Sequence, residues 1–170
     1  TEEYKKAEEH YRLSLDMYKR LHGEDSENSN IARVLNNLGT VYSTMEEYKK
    51  AEEHYRLSLD MYKRLHGEDS ENSSIAHVLN NLGTACSNME ENKKAEEHYR
   101  LSLNMYKGIH GETGNIARVL RNLGDAYSTT EEYKKAEEHY RLSLDMYKRL
   151  HGENRENSNI AILPNNLGTD

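Results

Sequence analysis

The stretch EEYKKAEEHYRLSLDMYKRLHGEDSENSNIA, residues 2–32, is the part of the sequence that decides the fold. It recurs at residues 46–76 with a single change, Asn30 to Ser74, and two more divergent copies follow. The period is 44, 44 and 41 residues between the alanines of successive copies, Ala7, Ala51, Ala95 and Ala136. A repeat of this length is typical of supersecondary units that stack on one another.

The composition favours an open stack of such units over a closed globule. Of the 170 residues, 35% are hydrophobic and 31% are charged, which leaves little apolar surface for one central core. In a solenoid each unit buries only the faces that meet its neighbours, so a lean composition suffices. The aromatic residues are all tyrosines, whose rings can be buried while their hydroxyls reach the wet rim of a thin stack.

The charge and the single cysteine exclude several classes of function. A formal net charge of −7 argues against a general nucleic-acid binder, which would need clustered Lys and Arg to neutralise phosphates. One cysteine cannot form an internal disulfide, and no signal-peptide core or long apolar segment indicates a membrane protein. We therefore expect a cytoplasmic protein with no membrane partner.

Apolar residues recur at helical spacing within each copy. Residues 1–22 read as one long helix, which ends before Gly23. A second helix is expected from about Ile31 to Thr44, with Asn30 or Ser29 as its N-cap.

A third helix is expected from about Glu46 to Leu65. Thr44 and Glu47 have the spacing of a capping box at its start. Gly39 lies in the middle of the second helix, where a glycine costs roughly 1 kcal/mol relative to alanine. We interpret this glycine as a point of close backbone approach to the third helix.

The stretches LNNLGTVY and YKKAEEHYRLSL carry a resemblance to a known family. Their key residues stand at the offsets of the tetratricopeptide-repeat pattern: Leu38, Gly39, Tyr42, Ala51, Tyr55 and Leu59. The chain looks like the longer variant found in kinesin light chains and nephrocystin-type proteins, with Ser58 where that family usually has alanine. The resemblance implies an all-α solenoid of antiparallel helix pairs in a right-handed superhelix.

In this register the chain is a single domain, residues 1–170, with an incomplete unit at each end. Residues 1–22 are a lone second helix, and residues 159–169 are a partial first helix in which Pro164 favours irregularity. Full helix pairs are expected at residues 30–66, 74–110 and 115–151.

The middle pair departs most from the repeated pattern. Cys86 replaces Tyr42, Asn92 replaces Tyr48, and Gly108 replaces Arg64. Large-to-small changes at packed sites are destabilising when the cavity cannot collapse. We expect two lost tyrosine rings and the weakest packing at residues 85–115.

No pattern in the sequence indicates an enzyme, a metal site or a cofactor. The histidines mostly recur once per repeat, as in His10, His54, His98 and His139, which would place them too far apart to share one ion. Cys86 has no neighbouring base in the sequence and is interpreted as a small buried residue. We expect no catalytic residues.

The polar face of each first helix is the candidate binding surface. It comprises Arg33, Asn36, Asn37, Thr40, His77, Asn80, Asn81, Thr84, Arg118, Arg121, Asn122 and Asp125. In tetratricopeptide domains, as the resemblance implies, such a face lines a concave groove that holds a peptide. Asn37, Asn81, Asn122 and Asn166 share one repeat position and form a ladder of amides that can bind an extended backbone.

The charge pattern adds a preference for the ligand. The second helices carry most of the acidic residues, so the groove should be less negative than the outer face. A carboxylate of the peptide is expected near Arg118 and Arg121. The leading hypothesis is thus a non-enzymatic protein-binding scaffold. The alternatives are an ordinary solvated face, or a structural array that associates weakly end to end through its unpaired terminal helices.

Overall fold

The computed structural model describes residues 2–23, 26–68, 70–109, 111 and 113–151. Within these ranges it contains seven α-helices and no strand. They are α1 (Glu2–His22), α2 (Ser29–Thr44), α3 (Tyr48–His66), α4 (Ser73–Asn88), α5 (Asn92–Gly108), α6 (Thr113–Thr129) and α7 (Tyr133–His151). The predicted all-α class is confirmed. The segment 159–169 with Pro164 lies outside the described residues.

The helices are arranged as a layered stack of pairs. We call α2, α4 and α6 the first helices, and α1, α3, α5 and α7 the second helices. Each first helix packs against the second helix that follows it through a short turn and against the second helix that precedes it. The buried apolar residues form two clusters spread along the stack, so no single central core exists in the described chain.

Two first helices begin at an asparagine that the sequence analysis did not select. Asn28 is extended, and its side-chain oxygen accepts a hydrogen bond of 2.7 Å from the backbone N–H of Asn30. Asn72 caps α4 in the same way, by accepting from Ser74 N and Ile75 N. The prediction of Asn30 or Ser29 as the N-cap was wrong, because the helix starts earlier than its apolar pattern.

The turn between the helices of a pair is closed by backbone bonds and not by a capping box. The Glu47 N–H donates to Tyr42 O, and the Glu46 N–H donates to Ser43 O, which is the bonding pattern of a Schellman motif. Glu46 adopts a φ of 62° there, where glycine is the usual residue. The predicted capping box was wrong, since Glu47 makes no side-chain cap bond and Thr44 bonds back to Thr40 O.

Each helix pair is fixed by a glycine that faces a tyrosine ring. A Cβ atom added to Gly39 would lie 2.6 Å from the ring of Tyr55. The same 2.6 Å approach recurs between Gly83 and Tyr99 and between Gly124 and Tyr140. The interpretation of this glycine as a point of close approach is correct, and its neighbour is a side-chain ring.

A buried serine joins the same two helices one turn further along. Ser58 Oγ donates to Ala32 O at 2.7 Å, and Ser102 and Ser143 make the equivalent bond at the same distance. All three serines are fully buried. The serine that stands in place of alanine at position 58 thus forms a hydrogen bond between the two helices. Its buried hydroxyl would be destabilising if it were left unpaired.

Neighbouring units are tied together by the tyrosine near the end of the first helix. The Tyr42 hydroxyl donates to Glu8 Oε1 at 2.8 Å, and Tyr127 donates to Glu96 Oε1 at 2.8 Å. Each ring also packs on a histidine of its own pair, with ring centroids 4.9 and 5.0 Å apart. The bond links a first helix to the preceding second helix, so it sets how one unit sits on the next.

The middle unit, which consists of α4 and α5, lacks this hydrogen bond to the preceding unit. Cys86 stands at the tyrosine position and cannot span the distance to Glu52, which pairs with Arg56 on its own helix. The loss of a second packed ring at Asn92 stays a prediction, because the equivalent Tyr48 is partly buried whereas Tyr133 is 65% exposed. An ion pair is also missing, because Gly108 replaces the arginine that would bind Glu71.

That ion pair is present in the first unit. Arg64 Nε lies 3.0 Å from Glu27 Oε1, and both side chains are about half exposed. At Gly108 an added Cβ would lie only 2.2 Å from Glu71 Oε1, because the glutamate occupies the space where an arginine stem would begin. The middle unit therefore lacks one support at each end of its helices.

Two glycines of α6 give a matched test of the glycine–tyrosine contact. Gly124→Ala is expected to lower the free energy of unfolding by about 1–3 kcal/mol, because the methyl group overlaps the ring of Tyr140. Gly114→Ala meets only Leu150 at 3.5 Å and should be neutral or stabilising by up to about 1 kcal/mol. Chemical denaturation of both variants checks this. Equal effects would contradict the role given to the contact.

Restoring the missing tyrosine–glutamate hydrogen bond tests whether the middle unit is the least stable part of the stack. Cys86→Tyr is expected to raise the free energy of unfolding by roughly 1–2 kcal/mol, since Glu52 is placed to accept from the new hydroxyl. Cys86→Ala is the control for loss of the thiol alone. Hydrogen exchange should find residues 85–115 the least protected interior segment of the parent protein, and the tyrosine should slow their exchange. Protection equal to that of the flanking units would contradict the assignment.

Candidate functional site

The first helices line the inner side of the stack. α2 contacts α4 and α4 contacts α6, whereas the described residues of α3, α5 and α7 make no contacts between these helices. A stack whose first helices approach each other more closely than its second helices curves toward the first helices. The polar faces of α2, α4 and α6 therefore form a concave surface, which we call the groove.

The twelve residues selected from the sequence lie on these three helices, but they are not equally accessible. Asn36 and Asn80 are buried, with 7% and 4% of their surface exposed. Arg33, Thr40 and Asp125 are exposed. The rest are partly buried: Asn37, His77, Asn81, Thr84, Arg118, Arg121 and Asn122. The set therefore divides into residues that build the groove and residues that can meet a ligand.

The asparagine pairs bind each other from one unit to the next. Asn81 Nδ2 donates to Asn36 Oδ1 at 3.0 Å, and Asn122 Nδ2 donates to Asn80 Oδ1 at 2.9 Å. Asn36 and Asn80 are thus buried acceptors. Asn81 and Asn122 are donors that reach back along the groove. Each donating amide retains one N–H and its carbonyl oxygen for a ligand.

The row of buried acceptors ends in the third unit. Arg121 occupies the repeat position of Asn36 and Asn80, and a guanidinium has no acceptor. Asn37 stands at the other end of the ladder, and its side chain makes no hydrogen bond to another described residue. These positions look alike in the sequence, because the repeat register alone does not reveal which amide faces the preceding helix.

The next turn of each first helix holds a tyrosine of the second helix. Tyr55 donates to Thr40 Oγ1 at 3.3 Å and Tyr99 to Thr84 Oγ1 at 3.2 Å. Tyr140 donates to Asp125 Oδ1 at 2.7 Å. Burial raises the pKa of Tyr99 to about 12, so its hydroxyl remains a donor at neutral pH. These groove positions thus also stabilise the helix pair.

A recess of about 320 Å³ opens in the groove between the first two units. Arg33, Asn37 and His77 line it, and none of its described lining residues is acidic. Arg118 lies beside it and places Nη2 3.1 Å from His77 Nδ1 and 3.1 Å from Asn115 Oδ1. Burial, and then the charge of Arg118, lower the pKa of His77. This part of the groove is suited to an anionic group.

The other end of the groove is of mixed charge. Asp125 lies one helical turn after Arg121 and is exposed while it accepts from Tyr140. A ligand carboxylate near Arg121 would therefore also approach Asp125. The recess beside Arg118 has no such neighbour among its described lining residues.

The acidic residues predicted on the second helices are divided between those helices and the turns that precede them. The helix α3 contains five Lys and Arg against three Asp and Glu. The acidic pairs at Glu46, Glu90 and Glu131 fall in turns and not in second helices, because those helices start later than predicted. The inner helices α2 and α4 carry no acidic residue.

Some residues around the recess were missed by the sequence analysis. Tyr62 and Tyr106 enter it from the ends of second helices, and Ser73, Ser74 and Asn115 enter from the starts of first helices. The tyrosines recur at the repeat position of Tyr18 and therefore looked like core residues only. Their proximity to the recess depends on how units stack, which the repeat pattern does not specify.

The chemical alternatives find little support in the described part of the chain. Burial raises the pKa of the Cys86 thiol to about 11, so it is not a thiolate at neutral pH. No group of three His, Cys, Asp or Glu among the described residues could hold a metal ion. None of the described helices is both long enough and apolar enough to cross a membrane.

The comparison with protein families gives a clear match. A family model described as tetratricopeptide repeat matches residues 1–64, 30–78 and 74–149. These matches span well over half of the chain. No curated protein matches it.

Solved structures share the fold at low sequence identity. The crystal structure of BtubC (BKLC) from P. vanneervenii is 23% identical with a TM-score of 0.79 and covers 91% of this chain and 61% of that one. The apo form of RapI is 20% identical with a TM-score of 0.72, covering 94% and 41%. MamA is 18% identical with a TM-score of 0.59, covering 81% and 67%. The chain spans about three fifths of the BtubC chain, and these likenesses concern the fold alone.

Proposed function

Because the chain belongs to the tetratricopeptide repeat family, we propose that it is a non-enzymatic scaffold that binds an extended peptide segment in the groove. Proteins of this family are generally protein–protein interaction scaffolds. The period of 44 residues and the stretch YKKAEEHYRLSL support a finer placement, with the kinesin light chain and nephrocystin type. A cytoplasmic location is part of the proposal and fits a chain with one, buried cysteine.

The recess beside Arg118 is the observation that carries this proposal. It lies on the concave side, is lined by Arg33, Asn37 and His77, and has no described acidic lining residue. A carboxylate of a peptide can be paired there with a guanidinium. The retained amide groups of Asn81 and Asn122 can bind the backbone of the same peptide in both directions of the hydrogen bond.

The peptide ligand is expected to be acidic and to bind with moderate affinity. Selection of random peptides displayed on phage against the protein should enrich sequences with at least one Asp or Glu. We expect dissociation constants on the order of micromolar, weakened by salt, because partly exposed charges carry the specificity. Titration calorimetry at two salt concentrations checks this. Enriched peptides without acidic residues, or affinities insensitive to salt, would contradict it.

Groove variants separate binding from stability. Arg118→Glu and Arg121→Glu should discriminate against acidic peptides, while Arg141→Glu on the exposed face of α7 is the matched control. Asn81→Ala and Asn122→Ala should weaken all peptides alike, but they also leave the buried oxygens of Asn36 and Asn80 without their donors.

Asn37→Ala is therefore the cleaner test of backbone binding. It removes a groove amide that bonds to no other described residue, so affinity should fall without a change in the melting temperature. Unchanged affinity of a selected peptide for Asn37→Ala, Arg118→Glu and Arg121→Glu would place the binding surface elsewhere.

A second candidate function, self-association, is favoured by the state of α1. Its sequence repeats in α3, where Ala51, Tyr55, Ser58, Leu59 and Tyr62 are buried, yet α1 has no buried residue. Met17 and Leu21 are 63% and 73% exposed, whereas the equivalent Met61 and Leu65 of α3 are partly buried. Ser14 bonds to His10 O in its own helix, whereas Ser58 reaches a neighbouring helix. A first helix on this face would bury these residues, whether it precedes α1 in a longer chain or comes from another copy.

Light scattering over a range of concentrations tests the second candidate. If copies associate through α1, the average mass should rise with concentration, and Tyr11→Asp should return it to one chain of 19.8 kDa. Glu9→Lys changes an exposed residue of the same helix and serves as the control. A constant mass of one chain in all three proteins would remove this candidate and leave the groove proposal standing.

A further inference from the structure

One repeat position supplies three basic side chains in a row along the groove. Arg33, His77 and Arg118 occupy equivalent places on α2, α4 and α6, so at this repeat position only the middle unit has a side chain of the type that titrates near neutral pH. Arg33 and His77 line the same recess, and Arg118 reaches back from the third unit to His77. At this groove position the middle unit therefore differs from its neighbours in having a side chain whose charge can depend on pH.

The contact between Arg118 and His77 determines the protonation state of His77 when no ligand is in the groove. Arg118 Nη2 lies 3.1 Å from His77 Nδ1, and a guanidinium can only donate. His77 Nδ1 is therefore an acceptor without a proton, and the ring is neutral with its hydrogen on Nε2. Protonation of Nδ1 would set two donors against each other and replace a hydrogen bond by repulsion between like charges.

The surroundings of His77 reinforce this preference. Arg33 lines the same recess from α2, where its Nη2 donates to Asn30 Oδ1, and Arg118 contacts His77 from α6. Among the described lining residues, α3 and α5 contribute Tyr62 and Tyr106. No described residue that lines the recess is a carboxylate. Burial and the charge of Arg118 lower the pKa of His77 in agreement with this arrangement.

We propose that binding of an anionic group in the recess is coupled to the uptake of one proton by His77. Acidic ligands therefore bind more tightly as the pH falls. The inference rests on the proposed function of the groove. A carboxylate, sulfate or phosphate oxygen placed between Arg33 and His77 offers an acceptor to a protonated ring. Arg118 then turns the hydrogen of its Nη2 from His77 to the anion, and the two cations share a counter-ion.

The direction of the pH dependence follows from the two protonation states. In the empty groove the pKa of His77 lies below its ordinary value of 6.5, and in the complex it lies above that of the empty groove. Affinity is therefore weakest above the pKa of the complex and rises as the pH falls through it. The rise stops below the pKa of the empty groove, and it is at most about tenfold per pH unit for one proton.

Sulfate is the probe, because it does not titrate in this range. The Cε1–H resonance of His77, assigned by its loss in His77→Gln, is followed by NMR from pH 5 to 8 in sulfate and in chloride at equal ionic strength. Sulfate is expected to raise the pKa of His77 by roughly half a unit or more relative to chloride. The resonance of His10, exposed on α1, is the internal control for effects of the two salts that do not involve the recess. Equal pKa values of His77 in the two salts would overturn the proposal.

Two substitutions then fix the charge of position 77. His77→Arg copies the residue of the flanking units and should bind acidic display-selected peptides tightly at every pH from 6 to 8. His77→Gln keeps an acceptor for Arg118 and should bind them weakly with no pH dependence. A slope retained in His77→Gln, with His10→Gln as control, would also overturn the proposal. Peptides that bind in the groove with an affinity independent of pH would contradict this inference alone. A change in the pKa of His77 with sulfate, without any peptide binding, would contradict the proposed function alone.

Discussion

The close approach of a glycine in each first helix to a tyrosine ring in the second is the constraint on which the rest of the structure depends. The Cβ of any other residue at Gly39, Gly83 or Gly124 would lie within 2.7 Å of ring atoms, so the two helices can pack at this separation only with glycine. The same approach lets a buried serine reach a backbone carbonyl and lets the tyrosine hydroxyl reach the groove face. One missing side chain thus sets the helix separation, the interhelical hydrogen bonds and part of the groove.

Stacking of one unit on the next depends on a different interaction, the bond from a first-helix tyrosine to a glutamate of the preceding second helix. Tyr42 and Tyr127 make it, and Cys86 cannot. The recess lies at the opposite end of α4, near Ser73 and His77. The middle helix α4 therefore lacks the tyrosine bond at one end and lines a recess with no described acidic residue at the other. A ligand bound there would stabilise a unit that lacks its own tie.

The groove illustrates how a repeated polar pair can serve both structure and binding. Asn36 and Asn80 are buried as acceptors. Asn81 and Asn122 donate to them across the unit boundary while keeping part of their own amides free. Replacing the first asparagine by Arg121 ends this row and brings a cation into the groove next to Asp125. The chemical character of the groove thus changes from amide-rich and basic to mixed in charge along three units.

The sequence by itself determined the repeat, the helical class, the pairing of the helices and the importance of Gly39, because period and apolar spacing are local properties of the chain. It also placed the twelve candidate residues on one face. It did not determine the caps at Asn28 and Asn72, since capping depends on backbone angles just outside the apolar pattern, nor the turn at Glu46, where glycine was the expected signal. Only the tertiary structure decided which asparagine is buried and that Arg118 contacts His77. Those contacts join residues more than forty positions apart, and they depend on the rotation between units, which no local pattern encodes.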